Sequence, residues 1–168
     1  MSSAADRCVV IGVGNALRGD DAAGLLVARR VRDRGADAAV FEHEGDPTGI
    51  LPLLSGAGAA ILVDSMCSRS APGTVRRFEA GAAPLPCGLY RSASTHAFGL
   101  EAAVELARAL DRLPPTVVVF GIEGACFDTG AGCTPAVSAG IERAADAVLH
   151  ELEGPRGGPP DHALDAAG

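Results

Sequence analysis

Two adjacent carboxylates, Asp20 and Asp21, close the segment IGVGNALRGDDAAG at residues 11–24. A third carboxylate, Asp64, ends the apolar run AAILVD (59–64), and an imidazole, His96, follows a long loop. Two carboxylates and an imidazole make a mixed oxygen and nitrogen ligand set. It suits a borderline divalent ion such as zinc or nickel, with positions left open for water or substrate. The glycine turn at Gly12-Val13-Gly14 also resembles the opening of a dinucleotide site. Such a site needs a third glycine soon after Gly14, but the chain continues Asn15-Ala16-Leu17, and Asp20-Asp21 would repel a pyrophosphate. The segment points to a cation rather than a phosphate.

These groups act together only if the fold converges them. Residues 8–13 (CVVIGV) are a short apolar run of the kind found in central parallel strands covered on both faces. From Ala22 the residues Leu25, Leu26, Val27 and Val31 recur at helical spacing, and the helix ends near Gly35. Residues 38–44 can form a second strand, followed by the GDPTG turn and a short helix to Gly56. Residues 59–64 are a third strand, and the alternating stretch 73–80 reads as a half-exposed strand at a sheet edge. A loop over 81–94 leads to Ser94 or Thr95 as N-cap of a helix from about His96 to Leu110. TVVVFGIE (116–123) is another buried strand, and Thr134-Pro135 opens a last helix to about Leu152.

Strands alternating with helices predict a single three-layer α/β/α domain over residues 1–153, with a mostly parallel twisted sheet of about five strands. Residues 154–168 are rich in Pro and Gly and read as a disordered tail. In open parallel sheets, ligands bind beyond the carboxyl ends of the strands. Asp20-Asp21, Asp64 and His96 all fall at such places.

Each residue also has a plainer role. Asp64 can bond to backbone N–H groups of its own turn. One of Asp20 and Asp21 can cap the helix that starts at Ala22; spacing does not decide between them, and we assign Asp20 to the cap and Asp21 to the cleft. A helix N-terminus disfavours protonated His96, which leaves a neutral imidazole able to bind metal. His43 lies near the cleft and reads as a satisfied or solvated histidine, while Glu123 reads as pocket lining. Cys126 and Cys133 lie in a cleft-side loop, but neither has an obvious base to activate it. No nucleophile-elbow serine motif, phosphate loop or H-E-x-x-H occurs.

The chain has 168 residues, 48% of them hydrophobic, which is enough for one core and too few for two ordinary domains. A formal charge of −7 without any Lys/Arg run argues against nucleic acid or anionic membranes as partners. No apolar stretch reaches membrane-spanning length, and the start MSSAADR lacks the pattern of a secretion signal. Five cysteines without a C-x-x-C pair fit a reducing compartment, so a cytoplasmic protein is expected.

The segments IGVGNALRGDDAAG, ILVDS, STHAFGL and GIEG…TPAV, in that order, resemble the maturation endopeptidases of [NiFe] hydrogenases over about residues 8–150. The resemblance implies removal of a C-terminal peptide from the precursor of the hydrogenase large subunit after nickel insertion. It implies that Asp21, Asp64 and His96 contact the metal and carry the catalysis. Nickel would arrive with the substrate, and no permanent cofactor is expected. Asp46-Pro47 in EGDPTG looks like one branch of that family. Other readings stay open at this point: a nucleotide-binding module, a self-sufficient metal-dependent hydrolase of a small amide, or a non-catalytic maturation chaperone. The sequence does not give the oligomeric state.

Overall fold

A computed structural model describes residues 7–86, 99–154 and 163–164. In chain order the elements are β1 (Cys8–Val13), α1 (Ala23–Asp33), β2 (Ala39–His43), α2 (Pro47–Leu54), β3 (Ala59–Met66), β4 (Val75–Glu79), α3 (Leu100–Ala109), β5 (Thr116–Glu123), α4 (Pro135–Glu153) and β6 (Ala163–Leu164). A single 3-10 turn over Gly19–Ala22 precedes α1. The sheet order is β2-β1-β3-β5-β4-β6. Pairing is parallel from β2 through β5 and antiparallel for β4 and β6.

Side-chain alternation along the strands builds two cores. Ile11, Leu62 and Val119 face one side, against Ile50 and Leu54 of α2 and Leu100 and Val104 of α3. Val10, Ile61, Val63 and Phe120 face the other, against Val27 and Val31 of α1 and Ile141 and Val148 of α4. Every residue of β3 is buried, which explains the apolar run over residues 59–63. The three-layer α/β fold predicted from the sequence is therefore the fold observed. Among the described residues, no helix is long and apolar enough to cross a membrane.

Some boundaries differ from the sequence reading. β4 lies near the sheet margin as expected, but Ala163–Leu164 pair with it at Arg76 and Val75. This short strand comes from the segment read as a structureless tail. α3 begins at Leu100 after Gly99, later than the expected start at His96. Ser94, Thr95 and His96 lie outside the described residues.

The topology fixes where a site can form. β1 leads through α1 to β2 on one side, whereas the chain leaving β3 travels toward β4 and β5 on the other. The loops after β1 and β3 thus diverge, and a crevice opens between these adjacent strands at their carboxyl ends. β3 continues to Met66 beside β5, while its pairing with β1 ends at Val63. Asp64 is the first residue of β3 beyond that pairing.

α1 can sit directly over this crevice because it carries glycine in its first turn. A methyl group at Gly24 would overlap the carbonyl oxygens of Val13 and Val63, at the ends of β1 and β3. Gly24→Ala is therefore expected to lower stability by about 1–3 kcal/mol, the usual cost of overpacking a core. Urea denaturation measures it, and an unchanged midpoint would show that α1 can shift to make room.

Candidate active site

Five polar residues are buried among the described residues: Asp20, Asp21, Asp64, Ser65 and Glu123. All lie at the carboxyl edge of the sheet. Burying a carboxylate is costly unless donors replace the lost water, so the donor supply shows what each one does.

Asp20 is fully supplied. Its Oδ2 accepts from the backbone N–H groups of Ala125 (2.8 Å) and Cys126 (2.9 Å), and Oδ1 accepts from that of Thr134 (2.7 Å). The Thr134 hydroxyl also donates to both oxygens at 3.1 Å. Asp20 therefore does not cap α1, whose N-cap residue, Ala22, offers no side-chain bond. It clamps the loop after β1 to the loop after β5 and to the start of α4. The 3-10 turn between Asp20 and α1 carries its carboxylate away from the helix N–H groups.

Glu123 is supplied in the same way. It accepts from the backbone of Ser68 (2.9 and 3.0 Å) and Arg69 (2.9 Å), and from the Ser68 hydroxyl (2.8 Å). It pins the turn after β3.

Asp21 and Asp64 are different. Asp21 accepts from the Ser65 hydroxyl (3.1 Å), and Asp64 accepts from the Ser65 backbone N–H (2.7 Å). Ser65 therefore touches both carboxylates. The sequence reading missed it, although its place right after the strand-end Asp64 was the available signal. The glycine turn positions Asp21: Gly14 (φ 155°) packs so closely that a methyl there would overlap the Asp21 carbonyl oxygen.

The electrostatics follow from that shortage of donors. Burial pushes the Asp21 carboxyl up, against smaller opposing pulls from Ser65 and Arg18. Asp64 is pushed well above its usual 3.8, first by burial and then by the charge of Asp21. Two such groups cannot both ionise comfortably without a cation or a shared proton. Each keeps a small opening to solvent, with 6% of Asp21 and 8% of Asp64 exposed, whereas Asp20 has none. The small opening to solvent thus falls on the donor-poor pair.

The structure thus brings two of the three proposed ligands together, Asp21 and Asp64. His96 lies outside the described residues, and among those described no third histidine, cysteine or carboxylate completes a metal cluster. His43 is a satisfied histidine: its Nδ1 accepts from the Gly45 N–H at 3.0 Å. The Cys133 thiol donates to the Gly19 carbonyl (3.4 Å), and burial with nearby Asp20 pushes its pKa up, so it is not an activated nucleophile. A cavity of about 920 Å³ lies at the opposite, amino edge of the sheet, between Cys8, Ala59, Thr116 and Leu152, and includes none of these residues.

The same architecture occurs in solved proteolytic enzymes. The structure described as the hydrogenase maturating endopeptidase HybD from E. coli is 26% identical, with a TM-score of 0.73 over 88% of this chain and 92% of that one. An endopeptidase from Escherichia coli solved in solution is 25% identical, with a TM-score of 0.74 over 88% and 92% of the two chains. The [NiFe] hydrogenase maturation protease HycI from Thermococcus kodakarensis KOD1, at 21% identity, shares the fold with a TM-score of 0.65 over 88% and 93%. No curated protein matches the chain. The family model for the HycI hydrogenase maturation protease matches residues 36–151. The chain belongs to the hydrogenase maturation protease family, and it is an endopeptidase.

The donor balance separates the carboxylates by stability. Folded Asp64 keeps its proton at pH values where the unfolded chain, near 3.8, has lost it. In metal-free protein its contribution therefore favours folding at low pH. That contribution fades as pH rises through the folded pKa, leaving a net cost at neutral pH. Asp64→Asn should remove the cost and raise neutral-pH stability by about 0.5–2 kcal/mol. Asp20→Ala should lower stability by about 3 kcal/mol or more, because buried donors lose their acceptor. Melting curves across pH compare the two. Equal destabilisation by both would contradict the different roles assigned to them.

Proposed function

We infer that this endopeptidase removes the C-terminal peptide from the precursor of a [NiFe] hydrogenase large subunit, after nickel has been inserted. Asp21, Asp64 and His96 are the residues that contact the nickel carried by that precursor. The observation that carries this reading is the pair Asp21 and Asp64: buried, poor in donors and mutually repelling at the crevice between β1 and β3. Family membership supports the substrate class.

Such a pair binds a free cation weakly as an incomplete ligand set, but it can complete the sphere of a metal that the substrate already holds. Nickel is then part of the substrate, and the protease needs no resident cofactor. Approach of the cation offsets the repulsion between the carboxylates and lets both ionise. Peptide hydrolysis then adds one water across the scissile C–N bond. A carboxylate of the pair takes the proton of that water and returns it to the leaving amine, while the ion polarises the carbonyl or the water. A precursor without nickel leaves the repulsion between the two acids unrelieved and the peptide unplaced, so cleavage becomes a check on metal insertion.

Asp21→Asn, Asp64→Asn and His96→Gln should each reduce processing by about a hundredfold or more, without unfolding the protein. Mass spectrometry of the precursor reads the loss, and normal processing by any one variant would remove that residue from the site. The purified protein should leave casein and metal-free precursor intact and cut the nickel-loaded precursor. Rapid cleavage of metal-free precursor, or stoichiometric zinc in protein purified without added ions, would favour a self-sufficient metal hydrolase instead.

A further inference from the structure

Ser65 breaks the pattern of its own strand. Along β3, Ile61 and Val63 face the core built with α1 and α4, and alternation puts Ser65 next in that row. Its pairing partner on β5, Ile122, belongs to the same core. A hydroxyl in such a row, on a residue only 7% exposed, is costly unless it is bonded. Its bond runs to Asp21 Oδ1 at 3.1 Å.

Neighbouring Asp64 belongs to the opposite face, in the row of Leu62 and Met66. Beyond the end of the β1 pairing at Val63, the Ser65 N–H donates to Asp64 Oδ1 at 2.7 Å. The two acids thus meet at the crevice from opposite faces of the sheet, and one residue holds an oxygen of each. Its side chain serves Asp21, and its main chain serves Asp64. Oδ2 of each acid accepts no hydrogen bond of ordinary geometry from the described residues. The buried polar side-chain atom left without a partner among those residues is Arg143 Nε, so neither Oδ2 is enclosed. The small exposure of both acids therefore includes the oxygens that Ser65 leaves free.

A carboxylate turns easily about its last bond, where the torsional preference is broad and two-fold. For Asp21 the Ser65 bond is the largest of the pulls that favour its charged form, ahead of the Arg18 charge and the Asn15 main chain. We propose that Ser65 is a positioning residue for the hydrolysis: its hydroxyl fixes the plane of the Asp21 carboxylate so that Oδ2 meets the substrate's nickel beside Asp64. This rests on the reading above, in which both acids contact nickel carried by the precursor. Carboxylates that bind metals are commonly held by hydrogen bonds of their own, and losing such a partner typically costs about 10–100-fold in affinity or activity.

Crystal structures of metal-free wild-type protein, Ser65→Ala and Ser65→Thr read the Asp21 carboxylate directly, with no substrate present. Its plane should rotate or split into two conformers in Ser65→Ala, and keep the wild-type orientation in Ser65→Thr, whose hydroxyl can make the same bond. With nickel-loaded precursor, Ser65→Ala should lose about tenfold or more in processing, with the loss falling on kcat rather than KM, and Ser65→Thr should restore it. An unmoved Asp21 in Ser65→Ala, or full kcat in that variant, would overturn the proposal and leave the endopeptidase assignment intact. So would a low kcat in Ser65→Thr whose hydroxyl still holds Asp21. Wild-type protein that leaves nickel-loaded precursor uncut would refute the assigned substrate, and this proposal with it, even where Asp21 is displaced in Ser65→Ala.

Discussion

Removing a carboxylate from water is expensive, and among the described residues it happens four times at one edge of one sheet, with Asp20, Asp21, Asp64 and Glu123. The cost is met unequally. Asp20 and Glu123 each receive several backbone and hydroxyl donors, and in return they hold down the loops after β1, β3 and β5. Asp21 and Asp64 lean on one serine, with smaller help to Asp21 from the Asn15 backbone and the Arg18 charge. The well-supplied pair ties the loops of the edge together, and the donor-poor pair marks the candidate site. An edge built this way holds its two donor-poor acids in place through the folded state, which a mobile loop could not do.

Much of the architecture was legible in the sequence because central parallel strands are covered on both faces. Continuous apolar runs at 8–13, 59–64 and 116–123 therefore announce themselves. Asp64 was legible for the same reason, as the polar residue that ends such a run. Asp20 was not. Local grammar places an aspartate before a helix as a cap, but its true donors lie 105, 106 and 114 residues away. Glu123 shows the same limit, with its partners more than fifty residues upstream. Pairing in β6 was equally hidden, since a two-residue strand has no periodicity to read. Ser65 shows the opposite situation. It stood beside Asp64 in plain view, but a hydroxyl becomes informative only once two carboxylates are known to need it.

Membership of a protease family sharpens the meaning of that donor shortage. A generic hydrolase gains from a site that is complete and always ready. Here the described residues supply two strained acids and a hydroxyl, and the fold spends stability to keep them so.

The long reach of the Asp20 clamp also sets an order of events during synthesis. Asp21 and Asp64 lie in the first half of the chain, but the turn that presents Asp21 is tied to residues 125–134. β5 must also be inserted between β3 and β4 before the sheet is continuous. Contacts separated by so much chain form late, after the entropy of closing the loop has been overcome. The growing polypeptide therefore carries both acids for some time before it has a working edge to hold them. An edge assembled from distant segments is complete only once residues 125–134 have joined it.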